Sequence, residues 1–424
     1  MIWQLRPILL IPALLVLACG DDAPAPPAAK PATTPAEKPA PSGAAPADMP
    51  LGLLVSISKF ERRDNKPIPM SELMVLVREG GAWKAEAFGD PESNVFHKAM
   101  VYTPPGQAPA VLTMGGTAAS LKLWRKGAAG LEPVETLWTE DFGGRHSRMR
   151  EGEVADLYGD GMPAIAVATH DQGVFAVVRP KDGGGYDVLK MDERPDIWIH
   201  EIEIGDLDGD GTLEVYATPS EPNRLDGNPQ PGEVVRYVPA TGEGRVVVAD
   251  LGQRHAKEIL VEDVDGDGRD ELYVSIEAAE GGDLEVRRYD AETDPAAGTT
   301  IATLSDPMAR FLTAGDVEGD GAKEMVVAAK DSGLWLLRPG ADPKAKWEVS
   351  LIDGKSKGFE HAALLTDLDR DGKDELYVAS DDHKQINRYV WSGDGFDRET
   401  IYRRDSPLPI FTWNFAPVPV EVVR

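Results

Sequence analysis

Asp206, Asp208 and Asp210 stand at alternate positions, Gly211 follows them, and Glu214 closes the run. The same order returns as Asp263, Asp265, Asp267, Gly268 and Glu271, and again as Asp367, Asp369, Asp371, Gly372 and Glu375. A fourth copy reads Asp316, Glu318, Asp320, Gly321 and Glu324. Acids spaced this way have a chemical use. Calcium takes about six to eight oxygens, mostly from carboxylates and carbonyls. Alternate residues of a tight loop point inward, glycine permits the sharp turn, and a later acid completes the shell. In helix-flanked calcium loops the closing Glu stands at about position 12. Here that position holds Ala217, Val274, Val327 and Val378, so these loops are of another kind. A fifth copy, at 156–164, has Tyr158 and Ala164 where two acids would be needed, and is expected to hold no ion.

The elements that must position these loops recur with them. The first aspartates of the five copies, Asp156, Asp206, Asp263, Asp316 and Asp367, lie 50, 57, 53 and 51 residues apart. Each loop stands between short apolar runs rich in β-branched and aromatic residues, such as Ile259 to Val261 before and Leu272 to Ile276 after, which read as strands. A third strand follows (Glu233 to Val238, Gln385 to Trp391), then a fourth (Arg245 to Leu251). Four short strands in roughly 50 residues make a propeller blade.

Repeated in register, the loops resemble FG-GAP or VCBS repeats, the calcium-loop blades of integrin α-subunit heads and many bacterial surface proteins. The resemblance is strong over 150–380. It implies ligands at positions 1, 3, 5 and 9 and at the carbonyl of position 7, which adds Thr212, Arg269, Ala322 and Lys373 to the acids already named. Glu318 stands where that family prefers Asp or Asn.

Two further blades are expected upstream. Pro109 to Leu112 and Leu121 to Trp124 repeat the pattern of residues 163–166 and 174–177, with the metal loop replaced by Thr103 to Gly106. Before them, Leu53 to Phe60, Met74 to Arg78 and Trp83 to Phe88 supply only three strands, and Ile410 to Phe415 at the other end is an orphan. Three plus one completes a first blade closed by both ends of the chain. The fold expected is all-β, a seven-bladed propeller with calcium loops between strands 1 and 2 of several blades; six and eight blades are the alternatives.

The chain reverses at every turn, so the 2–3 turns and the links into each first strand lie on the face opposite the loops. All seven histidines fall in that set. His146, His170, His200, His361 and His383, with Arg150, Lys257 and Arg310, are the candidate ligand-binding residues. Arg148, Arg224, Arg254, His97 and His255 belong to the same face.

Residues 1–18 combine Arg6 with an apolar stretch from Ile8 to Ala18, too short for the roughly 20 residues that span a bilayer. They read as a secretory signal. Val16 to Cys19 resembles a bacterial lipoprotein cleavage box, which makes the only cysteine, Cys19, the lipidation site and leaves no intrachain disulfide. Gly20 after it leans, by the known sorting rule, towards the outer membrane of the cell envelope. Residues 19–50 are rich in Pro and Ala, have no hydrophobic period, and read as a disordered, semi-rigid spacer. The folded part is 51–424. The formal charge of −28 argues against nucleic acid as a partner.

Two functions are open at this point. One is an extracytoplasmic binding or adhesion module for carbohydrate or protein. The other is an enzyme on acidic polysaccharide, lyase-like, with histidine as base and arginine neutralising a carboxylate. Binding is the reading favoured, because no nucleophile elbow, zinc motif or phosphate loop is present.

Overall fold

A computed structural model describes residues 49–424 apart from 65, 117–118, 144–146, 223–227 and 280. The signal segment, Cys19, the spacer up to residue 48, His146 and Arg224 lie outside the described residues.

These residues form seven four-stranded antiparallel sheets. The first contains β1 (Leu51–Arg63), β2 (Lys66–Glu79) and β3 (Ala82–Phe88). The second is β4 (Phe96–Tyr102), β5 (Ala110–Gly115), β6 (Ala119–Gly127) and β7 (Gly130–Glu140). The third is β8 (Met149–Ala155), β9 (Ala164–Thr169), β10 (Phe175–Pro180) and β11 (Tyr186–Asp192), and the fourth β12 (Trp198–Gly205), β13 (Glu214–Ser220), β14 (Glu233–Val238) and β15 (Glu243–Asp250). The fifth is β16 (Ala256–Glu262), β17 (Glu271–Ile276), β18 (Leu284–Tyr289) and β19 (Thr299–Leu304), and the sixth β20 (Ala309–Gly315), β21 (Glu324–Ala329), β22 (Gly333–Arg338) and β23 (Glu348–Asp353). The seventh is β24 (Ala363–Thr366), β25 (Glu375–Ser380), β26 (Gln385–Trp391) and β27 (Phe396–Arg403). The last strand, β28 (Ile410–Pro419), returns to the first sheet, whose order is β28-β1-β2-β3.

The protein is thus a seven-bladed β-propeller, closed as the orphan strand required. β28 pairs antiparallel with β1 from Leu51 opposite Pro419 to Lys59 opposite Ile410. Asp381 fixes the returning strand: its carboxylate accepts the Thr412 peptide N–H at 2.7 Å and the Thr412 hydroxyl at 2.8 Å, while Arg404 Nη1 pairs with it at 2.5 Å. Closure pairs β1 with β28 and gives the first blade its fourth strand, so that each blade exposes only the short edges of a four-stranded sheet.

The second strands explain their own sequences. AIAVAT, ELYVSI, EMVVAA and ELYVAS are buried at every residue, because a blade's second strand is covered on both faces by its neighbours. Side chains alternate between those faces. In β17, Leu272, Val274 and Ile276 join the core shared with the fourth blade, and Tyr273 joins the core shared with the sixth. The seven hydrophobic clusters among the described residues correspond to the seven contacts between neighbouring blades. Stability is therefore distributed round the ring, and no single central core exists to hold a ligand. What remains at the axis is polar.

Candidate functional site

The four complete acidic loops and the degenerate one all join the first and second strands of a blade, at the C-terminal ends of the inner strands. They share one backbone. The position-1 aspartate accepts peptide N–H groups from positions 5 and 6: Asp206 from Asp210 at 3.0 Å and Gly211 at 2.8 Å, Asp367 from Asp371 at 3.0 Å and Gly372 at 2.9 Å. Asp156 does the same at 3.0 and 2.7 Å. Glycines at positions 4 and 6 have left-handed φ, +70° and +84° in the loop at 206. Arg370 takes this conformation at position 4 of the loop at 367, with φ +59°.

Three loops gather carboxylate oxygens within 4.8 Å of one another: Asp263, Asp265, Asp267 and Glu271; Asp206, Asp208 and Asp210; and Asp367, Asp369 and Glu375. That donor set is all hard oxygen, the kind that could hold a hard divalent cation. Asp316, Glu318, Asp320 and Glu324 form no such group among the described residues, and Glu318 pairs with Arg338 at 2.7 Å. Thr212, Arg269, Ala322 and Lys373 sit at position 7, where each peptide N–H donates to the position-5 aspartate at 2.7 to 3.0 Å.

The closing glutamates have partners that the sequence reading missed. An arginine from the third strand reaches each one: Arg236 to Glu214 at 2.8 Å, Arg288 to Glu271 at 3.2 Å, Arg338 to Glu324 at 3.7 Å, and Arg388 to Glu375. Tyr216, Tyr273 and Tyr377 donate their hydroxyls to Glu214, Glu271 and Glu375. Arg288 and Arg388 also bind the position-3 acids, Asp265 at 2.7 Å and Asp369 at 2.9 Å. The loops thus carry an internal cation as well as a donor set for an added one.

The opposite ends of the inner strands meet at the axis. Six of these strands carry an irregularity at one equivalent place. In β4, Phe96 faces Gly115 and Lys98 faces Met114, leaving His97 between them; Arg150, Lys257 and Arg310 are left over in the same way in β8, β16 and β20. In β12 the shift spans His200 and Glu201, and in β28 it isolates Trp413. A bulge frees one residue from the ladder and re-aims its side chain. His97, Arg150, His200, Lys257, Arg310 and Trp413 accordingly line one pocket of about 230 Å³.

Glu360 fills the place of the seventh blade, joined at the rim by Arg148, His170, Trp198 and Phe359. Arg150, His200, Lys257 and Arg310 each stand six residues before the first aspartate of their loop. In the seventh blade that offset marks His361, but the chain there takes φ +56° and turns the ring inward. His361 is fully buried, its Nδ1 on the Ala329 carbonyl at 2.8 Å and its Nε2 on Ser356 Oγ at 2.7 Å. His383 lies in the short 3-10 turn Asp381–His383, bonded to Ser380 Oγ at 2.9 Å, and is not part of the pocket lining. The structure therefore brings together Arg150, His170, His200, Lys257 and Arg310, and leaves His361 and His383 apart.

The pocket is cationic and aromatic. Arg150 contacts His97 Nδ1 at 2.9 Å and lies over the Trp413 ring, 5.2 Å from its centroid. Arg310 lies 4.8 Å over Phe359. His170 packs on Trp198 with centroids 3.9 Å apart and bonds Asp171 at 2.7 Å. Burial, followed by the charges of Lys257 and Arg150, holds His200 well below the usual histidine range. Burial takes His170 down to about 4 against the pull of Asp171. Burial and the Arg310 charge bring Lys257 to about 7. Burial would raise Glu277, but the His255 hydrogen bond and the Lys257 and Arg310 charges outweigh it and hold the carboxyl at about 2.

Deeper along the axis the sign reverses. Glu151, Glu153, Glu201, Glu203, Glu258 and Glu262 line a shaft in which Lys98 pairs with Glu151 at 2.5 Å and with Glu153. Burial and neighbouring carboxylates raise Glu201 and Glu203 well above the ordinary carboxylate range, and burial raises Glu258 likewise.

Fold and site together define a seven-bladed propeller with acidic loops on one face and a cationic, aromatic pocket on the other. No family model matches the chain, and no curated protein matches it by sequence. Solved structures share the propeller fold. The chain is similar to an Agrocybe aegerita lectin that specifically recognises non-reducing terminal N-acetylglucosamine (13% identity, 85% of this chain and 95% of that one, TM-score 0.53). It is also similar to a putative 6-phosphogluconolactonase from Bacteroides fragilis (12% identity, 89% and 100%, TM-score 0.50) and to a protein from Lactobacillus plantarum (11% identity, 86% and 99%, TM-score 0.52).

Proposed function

We propose that this chain is a binding module of the cell envelope that holds a carbohydrate in its axial pocket, on a propeller of the FG-GAP/VCBS type stiffened by calcium. The observation that carries this reading is the convergence of equivalent bulge residues from separate blades on one pocket. Framework positions of a repeat have no structural need to differ from blade to blade in this way, whereas a ligand site does. Aromatic faces beside hydrogen-bonding cations suit a sugar, which has apolar C–H faces and a polar rim. The Agrocybe aegerita lectin, at an identity that speaks only for the fold, is one use of such a disc on a terminal sugar. A glycan array probed with the purified chain tests the reading; no bound glycan, or binding unchanged by Arg150→Gln, would remove it.

Calcium would be held by the loops at 206, 263 and 367, and Cys19 would anchor the chain to the outer membrane across the Pro/Ala-rich spacer. Cys19→Ala should move the protein from the detergent to the aqueous phase, and unchanged partitioning would remove the anchor. A second reading, a lyase-like enzyme on acidic polysaccharide, is favoured by one observation: a neutral His200 beside Arg150 and Arg310 is a base next to groups that neutralise a carboxylate. Unsaturated products released from a bound polysaccharide would favour it over binding alone.

A further inference from the structure

The axial pocket holds cations whose pairing is incomplete. Arg150, Lys257 and Arg310 enter from three blades, and two carboxylates stand near them. Glu360 lies 3.9 Å from Arg150 and 3.5 Å from Arg310; Glu277 lies 3.6 Å from Arg310 and 4.0 Å from Lys257. A made charge-assisted hydrogen bond is about 2.7–2.9 Å long. Each loop arginine reaches that range on at least one carboxylate, Arg236 on Glu214 at 2.8 Å, Arg288 on Asp265 at 2.7 Å, Arg338 on Glu318 at 2.7 Å and Arg388 on Asp369 at 2.9 Å, whereas the pocket cations stay at 3.5 Å or more from theirs.

The imidazole of His200 is a second, independent observation. The residue is 3% exposed, and neither ring nitrogen has a hydrogen-bond partner among the described residues. An unmade hydrogen bond on a buried group costs the desolvation of that group with nothing in return. Such a cost at the centre of a cationic pocket points to a partner supplied from outside. A neutral imidazole offers that partner one donor and one acceptor.

We propose that the pocket is a subsite for one oxyanion carried on a sugar ring, a carboxylate in the first instance, gripped by Arg150 and Arg310 and hydrogen-bonded by His200. This rests on the carbohydrate reading above and names its substrate class. Guanidinium groups match planar carboxylates in a way that a lysine does not. Liquid water takes about 30 Å³ per molecule, so 230 Å³ accommodates a single substituted ring, with Trp198 and Trp413 as apolar walls. A sulfate ester offers the same oxyanion chemistry from a second source.

The test is calorimetric titration of the full chain with glucuronate, glucose 6-sulfate and glucose, with sodium sulfate as competitor. Glucuronate should bind at least tenfold more tightly than glucose and be displaced by sulfate. Arg310→Gln and His200→Leu should each weaken it tenfold or more, and His200→Leu should leave the melting temperature unchanged or higher because it removes an unpartnered polar group. Tighter binding of glucose 6-sulfate identifies the ester as the source and keeps the oxyanion subsite. Equal affinity for glucose and glucuronate overturns the oxyanion inference while leaving a carbohydrate pocket. Absence of all sugar binding, or binding indifferent to both substitutions, overturns both. Should Arg310→Gln misfold, sulfate competition on the unaltered chain decides.

Discussion

The carboxylate of Asp374 accepts the peptide N–H of Asp316 at 2.8 Å, which bonds the loop of the seventh blade to the start of the loop in the sixth. Asp270 makes the same bond to Asp206, also at 2.8 Å, between the fifth and fourth blades. Both are the eighth residue of their loop, so these acids tie neighbouring blades together.

Removing one such bond leaves a half-buried peptide N–H unpaired, worth about 1–2 kcal/mol. Asp374→Ala and Asp270→Ala should each lower the melting temperature by a few degrees, with calcium or without it. Loss of stability only in calcium would show instead that these acids act through the metal.

Calcium should raise the melting temperature through three loops. A site held at 100 times its dissociation constant adds about 2.7 kcal/mol; extracellular modules bind at about 10⁻⁴–10⁻³ M, so millimolar calcium adds less at each. Asp208→Ala, Asp265→Ala and Asp369→Ala should each remove part of the rise. Asp160→Ala should remove none, and Asp320→Ala little, since the acids of its loop do not gather as the other three sets do. The measurement is thermal unfolding with calcium and with chelator, and a melting temperature indifferent to chelator in metal-stripped protein would reduce the loops to acidic turns.

Truncation after Ser406 removes β28 and with it the buried Phe415, Val418 and Val423. At about 1.5–3 kcal/mol for each buried apolar side chain, the loss is roughly 4–9 kcal/mol, comparable with the whole stability of many domains. The truncated chain should be unfolded or melt far below the full one. Equal melting temperatures would mean that the ring does not depend on its closure.

Acid should destabilise the fold through His361. Burial lowers its pKa to about 4, against about 6.5 unfolded. Above pH 6.5 neither state is protonated and the contribution is constant. Between pH 6.5 and about 4 the unfolded chain takes a proton that the folded one refuses, so stability falls across that window by about 3 kcal/mol. In His361→Gln the denaturation midpoint should fall less steeply with pH over the same range; an unchanged slope would assign the loss to other groups.

Anion affinity should depend on Lys257, which titrates at about 7 and faces Arg310, Glu277, Glu360, Arg150 and His200. Below pH 7 it adds a positive charge to the pocket; above, it does not. Glucuronate affinity should therefore fall as pH rises from 6 to 8, and Lys257→Met should flatten that dependence. A pH-independent affinity in the unaltered chain would place the anion away from Lys257.

Much was determined by the sequence alone. Loop spacing, continuous apolar second strands and an orphan strand at the C-terminal end are local patterns, and they sufficed for seven blades and for their closure. The basic and imidazole residues were also visible, at a fixed offset before each loop, because a repeat keeps its register.

Tertiary structure decided which of those residues meet. Glu360 and His361 are neighbours in sequence, and only the left-handed turn at His361 puts the glutamate in the pocket and the histidine in the core. Trp413 reaches the same ring because β28 crosses back to the first blade, a pairing that joins residues more than 350 positions apart. The arginines that reach the closing glutamates come from the third strand, 13 to 22 residues away (Arg388 from Glu375, Arg236 from Glu214), where the loop motif gives no sign of them. Sequence spacing records what one blade does by itself. The pocket and its charge arise where seven blades converge, and their geometry exists only once the ring has closed.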